Sequence, residues 1–114
     1  MEKQYKVQIT KYALAQMEEI KDYIVYELLA PQAAYNLLSE MRNKVALLNS
    51  APERNPLVDA KKWREQGIRK ILVKNFIMYY WVDKEHQIVH ITAVVYGKRD
   101  QLRELGKMKL ESEM

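Results

Sequence analysis

Residues 67–100 read GIRKILVKNFIMYYWVDKEHQIVHITAVVYGKRD, and three apolar, β-branched and aromatic runs follow one another within them. Such residues suit a pleated, half-buried surface, so the runs near Ile68–Val73, Phe76–Val82 and Ile88–Tyr96 predict three strands. Gly67 opens the series, Asn75 lies in a tight first connection, and residues 83–87 form the second. The spacing predicts a three-strand meander. Basic residues mark the ends of the runs: Arg69 and Lys70, then Lys74, then Lys98 and Arg99. Cations gathered at the rims of a sheet suit a polyanion.

Upstream, Tyr5, Val7 and Ile9 alternate with Lys6, Gln8 and Thr10, the pattern of a short half-buried strand. Thr10 fits a helix N-cap, since its hydroxyl can accept a hydrogen bond from a free amide of the first turn. Ala13, Met17, Ile20, Ile24 and Leu28 then recur at helical spacing, predicting a helix that ends near Leu29. Pro31 suits the first turn of a second helix and disfavours helical geometry at Ala30. Ala34, Leu37, Leu38, Met41, Val45 and Leu48 mark the buried stripe of that helix. The short link predicts an antiparallel hairpin. Residues 49–59, with Pro52 and Pro56, read as a loop, and residues 61–66 as a single helical turn. The tail carries Leu102, Leu105 and Met108 at helical spacing.

The order is therefore β-α-α-β-β-β in one domain spanning residues 1–114. This is an α+β fold with the helix hairpin on one face of a small, mainly antiparallel sheet that the first strand joins. Alternation along the last strand predicts Val89, Ile91, Ala93 and Val95 on the helix side. It predicts Ile88, His90, Thr92, Val94 and Tyr96 on the other side, an apolar face of the kind that marks a partner site.

Composition narrows the chemistry. Without cysteine there is no disulfide, thiol catalysis or cysteine zinc site, which fits a reducing cytoplasm. No apolar run approaches the ~18 residues of a membrane span, and MEKQYKVQIT has no apolar signal core. The net charge of +4 is unevenly spread: residues 1–60 carry 7 basic and 8 acidic groups, whereas residues 61–109 carry 12 basic and 5 acidic. The excess of cations in the sheet half points to nucleic acid or an acidic protein segment; the plainer alternative is a solvated lysine-rich surface. A glycine-rich phosphate loop is absent, and His86 and His90 fall in a turn and a strand, not on one helix face that would bring them to a metal. Arg69, Lys70, Lys74, Lys98, Arg99 and Arg103 are suited to phosphates, with arginine able to clamp them bidentately. Tyr79, Tyr80, Trp81 and Tyr96 are rings that can stack on bases or simply pack the sheet.

The ordered set YKVQIT (5–10), MEEIKDYI (17–24), PQAA (31–34), PERNPLV (52–58), GIRKILV (67–73), NFIMYYWV (75–82) and VVYGKRD (94–100) resembles the RelE/ParE family of bacterial toxins. That family includes plasmid stabilisation proteins, and the likeness extends over about residues 5–103. The resemblance implies the toxin of a type II toxin–antitoxin pair, neutralised by direct binding of an antitoxin, with no small cofactor and a cytoplasmic site of action. Its branches differ in target: one cleaves messenger RNA in the ribosomal A site, the other poisons DNA gyrase. For a ribonuclease the resemblance implies Arg99, Lys70 and Lys98 as catalytic residues. Arg69, Lys74, Tyr80, Tyr96 and Arg103 would contact target or RNA, and His90, Thr92 and Val94 the antitoxin. The middle-strand arginine of the ribonucleases falls on Ile77, and their late tyrosine near Leu105. These replacements, with the long helix hairpin, look more like the gyrase-directed branch. An inactive module that only binds antitoxin is the remaining alternative.

Overall fold

The computed structural model describes residues 4–97. Strand β1 (Lys6–Ile9) leads into helix α1 (Lys11–Asp22), whose first turn is capped as the sequence implies: the Thr10 hydroxyl accepts from the Ala13 amide at 3.1 Å. The helix does not run on in α geometry to Leu29. Residues Tyr23–Glu27 form a π-helical turn, Leu29 turns to a positive φ of 52°, and helix α2 (Pro31–Ala46) starts on its proline. A 3₁₀ turn (Leu47–Asn49), a loop and the short helix α3 (Lys61–Glu65) precede β2 (Arg69–Val73), β3 (Phe76–Asp83) and β4 (Ile88–Tyr96). Lys98, Arg99, Arg103 and the apolar positions of the tail lie outside the described residues.

The four strands form one sheet in the order β1-β4-β3-β2. β1 runs parallel to β4, with Val7 opposite Val89, and the other pairs are antiparallel. A parallel neighbour needs a long crossover; here the helix hairpin and the rest of the chain supply it. The fold is therefore α+β with the helix hairpin on one side of a mixed sheet, as the element order implies.

The face assignment along β4 needs correction. Tyr79 stands opposite Ala93, but Tyr80 stands opposite Ile91, so Thr92 is an extra residue and β4 bulges there. A bulge shifts the alternation by one position. Val89 and Ile91 join Ile71, Val73, Met78 and Tyr80 under the helices, but beyond Thr92 it is Val94 that faces them. Ala93 and Val95 turn to the second face with Ile68, Ile77 and Tyr79. The bulge's polar groups are bound from three directions. The Thr10 hydroxyl donates to the Thr92 carbonyl (3.4 Å), the Thr92 hydroxyl donates to the Tyr79 carbonyl (3.3 Å), and the Gln16 side-chain oxygen accepts from the Val94 amide (2.7 Å).

The second face is also not an open apolar patch. Val58, just after the loop prolines, and Trp63 of α3 pack over it together with Tyr12 and Trp81. His90, Thr92 and Val94, expected to meet an antitoxin, are 6, 0 and 1% exposed. Val94 belongs to the helix-side core, Thr92 to the bulge, and His90 stacks on Trp81 with centroids 4.8 Å apart.

Two stability changes follow from this packing. Gln16→Ala leaves the Val94 amide without its acceptor and is expected to cost about 1–2 kcal/mol in urea unfolding. Gln32→Ala, which breaks only the exposed bond to Asn36, should stay within about 0.5 kcal/mol. Val94→Lys would place a charge in the core, costing several kcal/mol or more, and is expected to abolish the cooperative transition seen by circular dichroism.

Candidate functional site

The segment between α2 and β2 wraps around the outer edge of β2. On the helix side it is held by Tyr80, whose hydroxyl donates to the Pro52 carbonyl at 2.8 Å and accepts from the Asn55 side-chain amide at 3.2 Å. Arg69, opposite Tyr80 in the sheet, donates to the carbonyls of Asn55 (2.6 Å) and Glu53 (3.3 Å) and pairs with the Glu53 carboxylate at 3.4 Å. Glu53 also meets Lys84 at 3.1 Å. Farther along, the Lys70 amide donates to Pro56 and the Val58 amide to Ile68, so residues 56–58 occupy the first half of the β2 edge. Val58 and Trp63 then close over the second face.

This arrangement changes the meaning of two expected contact residues. Tyr80 is buried in the core, and Arg69 is turned inward with only 19% of its side chain exposed. Both are loop tethers. Burial raises the Tyr80 phenol above its ordinary value, while Asn55 and Arg69 partly offset that rise, so the hydroxyl remains a donor at neutral pH. Their partners Glu53 and Asn55 were not singled out by sequence reasoning; the only signal was the cluster of turn residues in PERNP.

Among the described residues, no strand or loop pairs with the outer edge of β2 past Lys70. By the pleat's alternation Lys70 and Leu72 lie on the second face, with Lys70 opposite Tyr79 and Leu72 opposite Ile77. Leu72 is 62% exposed. It borders a cleft of about 230 Å³ shared with Lys74, Asn75, Phe76, Ile77 and Gly97. Lys74 takes a left-handed φ of 54° in the tight turn, and its ammonium stands 4.0 Å from Glu40 of α2. The Gly97 amide donates to the Asn75 carbonyl at 2.8 Å, and a Cβ on Gly97 would sit 3.2 Å from that same oxygen, so a larger residue is tightly received here. Tyr96 meets Phe76 edge-on at 5.6 Å. The structure thus brings Lys74 and Phe76 to the cleft and leaves Tyr96 half-buried beside Phe76.

At the far end of the β3–β4 hairpin, Asp83 accepts from the His86 amide (3.2 Å) and contacts the His86 ring (2.8 Å). Burial pushes this carboxyl up, but the His86 hydrogen bonds more than offset that and hold it below its ordinary 3.8. Among the described residues no group of three or more His, Cys, Asp and Glu side chains is placed to hold a metal. Ile77, where a ribonuclease of the resembled family would carry arginine, is packed in the second-face core at 5% exposure.

The family model of the ParE toxin of the type II toxin–antitoxin system parDE matches residues 7–101. The chain belongs to the ParE toxin family. The match spans every strand and helix described above, from within β1 past the end of β4. Among solved structures the chain is similar to a chromosomal ParDE toxin–antitoxin system from P. aeruginosa, at 16% identity and a TM-score of 0.65. That likeness covers 82% of this chain and 96% of the other. No curated protein matches the chain. Among the described residues no helix is long and apolar enough to cross a membrane.

Two measurements test this ParE toxin's loop tether and hairpin turn. Tyr80→Phe removes the donor to Pro52 and the acceptor for Asn55, and is expected to cost about 1–2 kcal/mol in denaturant unfolding with the circular dichroism spectrum preserved. Asp83 has a depressed pKa, so its contribution is present above its ordinary value and lost as pH falls through the lower folded value. Thermal melts from pH 6 down to about 2 should therefore show wild type losing its margin over Asp83→Asn below about pH 4, near the unperturbed aspartate value.

Proposed function

We propose that this type II toxin arrests growth by binding DNA gyrase in the cytoplasm, and that its antitoxin neutralises it at the basic edge of the sheet. The observation that carries the gyrase reading is the closure of the second sheet face. A metal-independent ribonuclease needs cations to stabilise a developing phosphorane charge and a base to activate the 2′-hydroxyl. The middle of the sheet offers Ile77, Tyr79, Ala93 and Val95 under Val58 and Trp63 instead. Arg69, one of the expected cations, is spent on holding the loop. Family membership together with an apolar, covered sheet face supports recognition of a protein target over chemistry on RNA.

The antitoxin would bind the part of the β2 edge that no other described residue pairs with. Leu72, with the cleft beside Lys74 and Phe76, presents an apolar anchor point at a strand edge flanked by cations. An extended, acidic antitoxin segment suits that surface, since the strand edge supplies backbone hydrogen bonds and the lysines supply charge.

The test is to express the chain from a tight inducible promoter, pulse-label DNA and protein synthesis, and assay supercoiling by purified gyrase. The expected outcome is a primary fall in DNA synthesis and blocked supercoiling. An immediate fall in protein synthesis, with messages cut in the ribosomal A site, would overturn the gyrase reading in favour of the ribonuclease.

A further inference from the structure

The tip of the helix hairpin gathers exposed apolar side chains on an irregular stretch of backbone. Tyr23, Tyr26, Leu28, Leu29 and Tyr35 are all large, apolar and exposed, with Tyr26 at 71% and Leu29 at 80%. They occupy the π-helical turn, the link after it and the start of α2. The backbone here is unfavourable as well. Residues 23–27 depart from α geometry, with the Leu28 amide bonded to the Tyr23 carbonyl and the Ala30 amide to the Ile24 carbonyl. Leu29 takes the left-handed conformation at φ 52°, which is unfavourable for an L-residue with a side chain and is normally given to glycine. A leucine at that position is strained, and at 80% exposure it gains almost nothing from burial in its own chain. Strain and exposed apolar surface at one place, without internal return, point to a surface kept for a partner.

Charge says which kind of partner. Residues 14–35 contain four acidic groups (Glu18, Glu19, Asp22, Glu27) and one basic group, Lys21. Lys21 is bonded to Glu18 at 2.9 Å and lies 3.5 Å from Asp22. The tip is therefore apolar with an acidic rim, opposite in sign to the sheet half. An acidic antitoxin segment suits the Leu72 and Lys74 edge and is repelled here.

We propose that the hairpin tip is the surface through which this toxin engages its protein target, and that it takes an apolar segment flanked by lysine or arginine. This inference rests on the toxin reading above but not on the identity of the target.

Leu29→Gly separates docking from folding, because it removes the exposed side chain and relieves the strain together. Full-length wild type, Leu29→Gly, Tyr26→Ser, the double variant and the charge reversal Asp22→Lys/Glu27→Lys are compared for Tm, for inhibition of purified gyrase and for colony survival after induction. The expected result is a Tm for Leu29→Gly at or above wild type. The double variant and the charge reversal should each need at least tenfold more protein to inhibit gyrase and should restore colony survival. If wild type arrests growth without inhibiting gyrase, and the folded variants lose the arrest, the tip assignment stands while the gyrase reading falls. Undiminished arrest by folded variants would overturn the assignment. So would a lowered Tm for Leu29→Gly, which would mean that Leu29 packs within its own chain, or a wild type that arrests nothing.

Discussion

The structure depends on one extra residue in its central strand. β4 pairs with β1 on one side and β3 on the other, so any irregularity in it reaches the whole sheet. Thr92 is that irregularity, and three side chains hold it open: Thr10 at the start of α1, Gln16 farther along that helix, and Thr92's own hydroxyl on β3. The same Thr10 caps α1. The helix start, the bulge and the β3–β4 register are thus one hydrogen-bonded unit. Among the described residues no buried side-chain nitrogen or oxygen lacks a partner, which is what a low-dielectric junction of this kind requires.

The bulge also decides which surfaces exist. It sends Val94 beneath the helices and Ala93 and Val95 to the second face. There they meet Ile77 and Tyr79 and form a core that residues 56–63 cover. The tether between Arg69, Tyr80 and the 52–55 loop holds this cover in place, since it fixes the segment as it rounds the sheet edge. An arginine and a tyrosine that look suited to phosphate and base are used inside the molecule. Among the described residues, exposed apolar side chains include Leu72, at an edge flanked by lysines and beside a cleft, and the cluster at the hairpin tip, with its acidic rim.

On the two readings proposed above, a toxin of the ParE family would meet its antitoxin and its target at separate surfaces of opposite charge. Exposed pairs such as Lys61–Glu65 contribute little to the fold at their degree of exposure. On those readings the electrostatics that matter lie in which end of the molecule carries which sign, since charge distribution steers encounter and disfavours a like-charged partner.

Much was legible in the sequence for local reasons. Apolar periodicity placed the helices and strands to within a few residues, Thr10 and Pro31 marked helix starts, and the order β-α-α-β-β-β with its family motifs led to the right fold and the right family. Those signals are carried by neighbours along the chain. The faces of β4 were not legible, because strict alternation assumes an unbroken ladder, and the bulge at Thr92 is stabilised by Thr10 and Gln16, about eighty residues away. The burial of Tyr80 and the inward turn of Arg69 were hidden for the same reason: their partners Pro52, Glu53 and Asn55 come from a loop whose path only the assembled sheet edge defines. The sequence by itself determined the elements, their order and the family; the tertiary structure decided which side chains are core, which are tethers and which stay exposed, since that depends on contacts between segments far apart in the chain.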